Sequence, residues 1–282
     1  MIIEETSFAA LYETCIAELM DFPEFYTEPR GMKIHEIINC QLVITNPYLN
    51  LFKNPVRDVP YKYLANELIL YFSGSCSAYK FTEASPFWGT IANDDGTINS
   101  AYGNLIFTEK DARWDTRPIC QFDWALKSLV KDKDSRQAIM HYNKPQHMVD
   151  TVKDFPCTIC NQFFIRNDML YMTTYMRSND LFLGLTYDIP FFTMLQQTML
   201  LWLRDTYPDL SMGTYTHFDG SLHAYERDFD KLNEMSEAAF EEDCIPEIKE
   251  NPIFAWPIMQ MYENFDKYEG KDPFFKWIQK YR

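Results

Sequence analysis

Histidine is scarce in this sequence, five in 282 residues, and positive charge is short: 26 lysines and arginines face 41 aspartates and glutamates, for a net charge of −15. That deficit argues against a broad nucleic-acid-binding or anionic-membrane surface, so any phosphate has to be met by a few local cations. Glycine is also sparse, nine residues in all. No Gly/Ser linker, internal repeat or low-complexity tract divides the chain, which favours a single domain over 1–282. Long hydrophobic runs are missing: the longest apolar segment, "PFFTMLQQTMLLWL", is interrupted by glutamines and is too short to span a bilayer. The opening "MIIEETSFAALYE" lacks a basic region followed by an apolar run, so no secretory signal is expected. Seven cysteines without a regular spacing read as reduced thiols of a cytoplasmic protein.

What the chain does have is apolar and aromatic mass, 46% hydrophobic and 16% aromatic residues, enough for a sizeable core. In "YKYLANELILYFSG" the spacing predicts a helix with Leu64, Glu67, Leu68 and Tyr71 on one face and Gly74 as its stop, so Glu67 lies on the apolar stripe. In "NQFFIRNDMLYMTTYMRS" two aromatic-rich runs joined at Asn167-Asp168 predict a hairpin. "DIPFFTMLQQTMLLWLRD" predicts a buried helix with Asp188 as N-cap and an early proline. The class is mixed α+β.

The stretch "DFPCTICNQFF" carries the first candidate chemistry. Cys157 and Cys160 have the spacing of half a zinc or redox motif, but no second pair or suitably spaced histidines follow, so no metal is expected. On these residues alone, Cys157 is either a nucleophile or, more commonly for a thiol opening an apolar strand, a buried inert side chain. Twenty residues on, Arg177, Ser178 and Asp180 set a cation, a hydroxyl and a carboxylate at a strand end, a combination able to grip a phosphate and orient a polar ring. A solvated turn is the plainer alternative.

Together, Pro156-Cys157 and Arg177-Ser178-x-Asp180-x-Phe182-Leu183-Gly184 resemble the thymidylate synthase family. So do "DSRQAIM", "FWGTIANDDGTINSAYG" and "GSLHAYERDF", in the family's order from about Arg30 to Tyr225; "NPIFAWPIMQMYENFDKYEGKDP" matches more loosely. The resemblance implies one mixed β-sheet packed with helices, a sheet face forming a homodimer interface, and 5,10-methylenetetrahydrofolate as co-substrate. It implies Cys157 as the thiolate adding to C6 of a pyrimidine nucleotide, Glu67 as the proton-relaying carboxyl, and Tyr102 near the proton lost from C5. It also implies that Arg177, Ser178 and Arg30 hold the 5′-phosphate, with Arg136 reaching the partner subunit's site, while His223 and Tyr225 bond the sugar. Trp88, Asp180 and Gly184 would meet the pterin. Where the family has a second arginine after Arg136 this chain has Gln137.

Two departures bear on the substrate. The methylating members read uracil with an asparagine eleven residues after the arginine; here that position is Asp188. A carboxylate accepts from the 4-amino group of cytosine and shares a proton with N3, whereas uracil O4 would meet an acceptor. Helix capping is the competing explanation for this residue, though asparagine caps equally well. The second departure is "PFFKWIQKYR", basic and aromatic where methylating members have an apolar segment over the folate. Both are expected of the branch that hydroxymethylates deoxycytidylate, acting in the host cytoplasm if phage-encoded. A dUMP hydroxymethylase, a dCMP methyltransferase, and a catalytically silent nucleotide- or RNA-binding relative are the alternatives.

Overall fold

Buried and exposed positions alternate along 158–176, and the break falls at Asn167 and Asp168, with φ of 50° and 53°. Two consecutive left-handed residues are what a two-residue type I′ link requires, and Asn and Asp tolerate that region best among residues with a side chain. This is the turn expected from the sequence. A computed structural model of the chain describes residues 1–57, 59–253 and 267–282. Most of the loosely matching segment "NPIFAWPIMQMYENFDKYEGKDP" lies outside them.

The described strands are β1 (Ile2–Glu5), β2 (Phe25–Thr27), β3 (Ile34–Ile44), β4 (Leu51–Lys53), β5 (Ala112–Trp114), β6 (Arg117–Ile119), β7 (Ile139–His141), β8 (Thr158–Arg166), β9 (Met169–Met176), β10 (Asn179–Asp180), β11 (Ser211–Tyr225) and β12 (Glu241–Asp243). The α-helices are α1 (Phe8–Asp21), α2 (Tyr61–Phe72), α3 (Ala78–Ala84), α4 (Phe87–Ile91), α5 (Gln121–Lys131), α6 (Gly184–Leu203), α7 (Phe229–Ser236) and α8 (Pro273–Tyr281). The class is α+β, as expected.

Contacts group these elements into two compact units, Met1–Val59 with Met169–Gln196 and Ser211–Ile245, and Pro60–Asp168 with Gln197–Leu210 and Pro246–Arg282. The first unit is built on the long strand β11, antiparallel to β3 and parallel to β9; β1 runs parallel to β3 on its far side. Short β10 lies parallel to β11 with Asp180 opposite His223, a register that brings two polar segments distant in sequence side by side. Phe8 and Tyr12 of α1 and Phe52 of β4 are buried together, and their rings meet edge-on or tilted at 4.5–5.7 Å. In the second unit α5 packs on the β7–β8 pair and α2 packs on α8. In α8, Asp272 caps by accepting from Phe274 and Phe275 N–H, and Phe274, Phe275 and Ile278 are buried, so "PFFKWIQKYR" is an amphipathic helix.

Helix α2 forms as its spacing predicts. Leu64, Glu67, Leu68 and Tyr71 are all buried, and Gly74, at φ 67°, ends it by donating to the Tyr71 carbonyl at 2.9 Å. Helix α6 differs from expectation. It starts at Gly184, so Asp188 lies in its second turn with Pro190 inside the helix, and Asp188 is not the N-cap. The turn into the helix is made earlier: Asp180 Oδ1 accepts from the N–H groups of Phe182 and Leu183 at 2.9 and 3.3 Å. Asp-Ile-Pro mimics a helix start in sequence, but the chain is already helical there because Asp180 has bent it. Capping therefore does not explain the aspartate at 188. Among the described residues, no helix is long and apolar enough to cross a membrane.

Candidate active site

The reactive residues of the sequence reading lie in the second unit. Glu67 is 6% exposed on the apolar face of α2, and burial pushes its carboxyl up from 4.5 to about 7 against hydrogen bonds from Tyr63 and Tyr71 that pull it down. The Tyr63 hydroxyl, one turn earlier on the helix, donates to Glu67 Oε1 at 2.9 Å. A carboxyl poised near neutrality can both take and give a proton at working pH.

Tyr102 stacks on Tyr71 of α2, 5.3 Å between ring centroids, and meets Tyr142 edge-on at 5.1 Å. The next residue explains this closeness: a Cβ on Gly103 would stand 1.7 Å from the Tyr71 carbonyl oxygen, so only glycine lets the chain touch the end of α2. Tyr142 in turn donates to Asn161 on β8, the strand that begins directly after Cys157.

Cys157 is partly exposed at the end of a loop held from two sides. The buried carboxylate of Asp154 accepts from Ser100 N–H at 2.7 Å and Ser100 Oγ at 2.8 Å, and Asn99 Nδ2 donates to the Asp154 carbonyl at 2.9 Å. Asn143 Nδ2 donates to the Pro156 carbonyl at 3.1 Å. "NSAY" and "DFPC" are thereby joined, and the loops carrying Tyr102 and Cys157 share one anchor. Burial raises the Cys160 thiol to about 11, which leaves little nucleophilic thiolate near neutrality. Cys120, at about 11, and Cys15, well above the ordinary thiol range, are kept protonated the same way. No disulfide joins any of the seven. Trp88 on α4 is buried against Phe81, with its Nε1 donating to the Tyr63 hydroxyl at 3.2 Å, and Phe87 beside it is 60% exposed. Arg136 lies before β7 with its side chain exposed.

The residues expected to bind the nucleotide, Arg136 apart, lie in the first unit. Arg177 is exposed and donates to Ser178 Oγ at 2.9 Å. Behind it, a Cβ on Gly220 would fall 2.8 Å from the Arg177 carbonyl oxygen, so glycine is what allows β11 to pass so near. His223 and Tyr225 meet edge to face at 5.2 Å. Burial raises the Asp180 carboxyl above its ordinary value, while nearby His223 works in the other direction. Arg227 lies over the Tyr225 ring at 4.3 Å and within 3.9 Å of Asp180 Oδ2. Arg30 stands on an exposed turn in the left-handed region, φ 56°.

Asn179, between Ser178 and Asp180, is buried, its amide 3.0 Å from His217 Nε2; His217 Nδ1 is 2.8 Å from the Tyr215 hydroxyl. A Cβ on Gly184 would meet Asn179 Oδ1 at 2.3 Å and Asp188 Oδ2 at 3.5 Å, so glycine, buried amide and Asp188 share one small space at the start of α6.

Sequence reasoning missed Tyr63, the Ser100–Asp154 anchor, the His217–Asn179 contact and Arg227. Tyr63 was within reach, because a tyrosine four residues before a helix carboxylate faces it. Ser100 and Asp154 are 54 residues apart, and nothing in their spacing marks the pair.

Comparison with known proteins shows the family. The thymidylate synthase family model matches residues 12–267. The deoxycytidylate 5-hydroxymethyltransferase of Enterobacteria phage T4 is 30% identical over 213 residues, 73% of this chain and 81% of that protein. The deoxyuridylate hydroxymethyltransferase of Bacillus phage SP01 is 25% identical over 270 residues, 86% and 67% respectively. The thymidylate synthase of Pseudomonas fluorescens is 28% identical over 192 residues, 62% and 66%. The structure of thermostable thymidylate synthase A from Bacillus subtilis superposes with a TM-score of 0.72 at 22% identity, covering 90% of this chain and 93% of that one, a likeness of fold. With nearly the whole chain matched and the motifs in order, this protein belongs to the thymidylate synthase family.

Proposed function

We propose that this member of the family is a deoxycytidylate 5-hydroxymethyltransferase, carrying a one-carbon unit to C5 of dCMP with release of 5-hydroxymethyl-dCMP and tetrahydrofolate. The single observation that carries the choice of base is Asp188, a carboxylate in the second turn of α6 that capping does not account for. Its oxygens suit the 4-amino group and a protonated N3, and leave uracil O4 facing an acceptor. A site that leaves such groups unpaired with the wrong base can discriminate by about 10⁴. The SP01 relative is named for deoxyuridylate, and Asp188 is what argues for cytosine over that reading.

In this mechanism Cys157 adds as thiolate to C6, electron density moves to C5, and after water has added to the one-carbon unit on C5 the C6–S bond breaks, returning Cys157 as thiolate. Arg177, Ser178 and Arg30 hold the 5′-phosphate, joined by Arg136 of the other subunit of a homodimer, while His223 and Tyr225 bond the 3′-hydroxyl. The C5 proton leaves near Tyr102. Glu67, with its pKa near 7, moves protons at the base and activates the water that ends the reaction. Methylenetetrahydrofolate, when bound, supplies the one-carbon unit. The chemistry of the residues fits a reduced pterin: Trp88 with exposed Phe87 gives aromatic surface, and Asp180, its Oδ1 committed to the backbone, would offer a ring N–H its Oδ2, which lies 3.9 Å from Arg227. Glycine at 184 is required by Asn179 beneath it, whatever binds above. The enzyme acts in the cytoplasm as one domain, 1–282.

Release of tritium from C5-labelled nucleotide tests this directly. Folate-dependent release from dCMP far above that from dUMP, lost in Cys157→Ala, is expected. Equal release from both nucleotides, or preference for dUMP, would remove the role of Asp188.

A further inference from the structure

Glu67 is not alone on its helix. Tyr63 stands one turn before it, and its hydroxyl joins two groups: it donates to Glu67 Oε1 at 2.9 Å and accepts from Trp88 Nε1 at 3.2 Å. The three side chains form a chain with one direction, from indole N–H to phenol to carboxylate. The carboxyl end is buried, whereas Tyr63 is half-buried. A buried carboxylate with a free rotor would sample several orientations; two hydrogen bonds on its oxygens select one. The second comes from Tyr71, and beyond burial and these two tyrosines no other charged or titratable group among the described residues acts appreciably on Glu67.

We propose that Tyr63 is a positioning residue that aims the Glu67 carboxyl for its proton transfers and couples that carboxyl, through Trp88, to the aromatic surface assigned to the pterin. This rests on the function proposed above for its chemistry, but not for its geometry. Water must be activated late in the reaction, beside the site of the one-carbon donor, by a base whose ionised form is favoured. A donor hydrogen-bonded to that base favours the ionised form. When the indole of Trp88 donates to the phenol oxygen, the phenol becomes a stronger donor, so a change at Trp88 is felt at Glu67 without direct contact.

The test is Tyr63→Phe, which keeps the ring and removes both bonds, read by the carbon resonance of the Glu67 carboxyl during a pH titration of the full chain. Loss of a hydrogen bond to a charged group should move the Glu67 midpoint upward by about one pH unit. In dCMP turnover, the acid limb of kcat/KM should move with it. A one-unit rise from about 7 would reduce the ionised fraction at pH 7 about fivefold and leave it nearly whole at pH 9. A purely structural loss would persist at every pH. Trp88→Phe should move the carboxyl midpoint in the same direction by less, and Tyr63→Phe/Trp88→Phe should move it no further than Tyr63→Phe alone. A wild-type midpoint in Tyr63→Phe, or a double variant shifted by the sum of the singles, would overturn the proposal. Should the wild-type chain fail to turn over dCMP, the proposed function falls while the carboxyl titration still decides the role of Tyr63.

Discussion

Glu67→Gln should make this protein more stable above neutrality while disabling it. Burial raises the Glu67 carboxyl from 4.5 in the unfolded chain to about 7 in the folded one. Because the folded-state value is the higher, the folded chain holds this proton more tightly. Stability from this group is therefore fully present below pH 4.5 and is lost as pH rises from 4.5 through 7. A rise of that size, at about 1.36 kcal/mol per pH unit, amounts to about 3 kcal/mol of destabilisation at pH 8. Glutamine removes that cost. Its oxygen can still accept from the Tyr63 hydroxyl, but its amide hydrogens need acceptors in a buried setting, so about 3 kcal/mol is the ceiling. For a chain of this size that is a rise in Tm of roughly 5–10 °C at pH 8. The assay is thermal unfolding of both proteins at pH 4, 6 and 8. The two melting temperatures should approach each other at pH 4 and separate as pH rises, the variant higher. A variant no more stable than wild type at pH 8, or a difference that ignores pH, would refute the reasoning about this carboxyl.

Three further outcomes are expected. Cys157→Ala should abolish turnover and C5 tritium exchange, while Cys160→Ala keeps much of both, since a thiol at about 11 contributes little thiolate at pH 8; near-normal exchange by Cys157→Ala would exclude the covalent route. Mixing inactive Arg136→Ala chains with inactive Cys157→Ala chains should restore roughly a quarter of the wild-type activity, because half the dimers would be hybrids with one intact site; no recovery after verified subunit exchange would count against a shared site. Asp188→Asn should lose dCMP turnover and gain dUMP turnover with Tm within a few degrees, because the near-isosteric change leaves the α6 backbone in place; unchanged dCMP preference would move base reading to another residue.

The parts of the molecule legible in the sequence are those set by local rules. Asn167-Asp168 marks its turn because two consecutive left-handed residues suit few side chains, and Glu67 declares its setting because helical spacing alone places it among Leu64, Leu68 and Tyr71. The sequence pattern sets the start of α6 too late because an Asp-Ile-Pro start signal stands inside a helix whose entry turn is already made at Asp180. Contacts made by folding could not be foreseen from spacing. Ser100 meets Asp154, and His217 meets Asn179, only because strands and loops distant in sequence are brought together. The motif "SAYG" was visible, but the reason for its glycine, a backbone approach to the end of α2, was not.

The most direct measurement is the mass of the nucleotide and folate products after incubation of the purified chain with methylenetetrahydrofolate and either dCMP or dUMP. The expected result is 5-hydroxymethyl-dCMP with tetrahydrofolate from dCMP, and little product from dUMP. A methylated nucleotide with dihydrofolate, or a product formed from dUMP in preference to dCMP, would contradict the assignment.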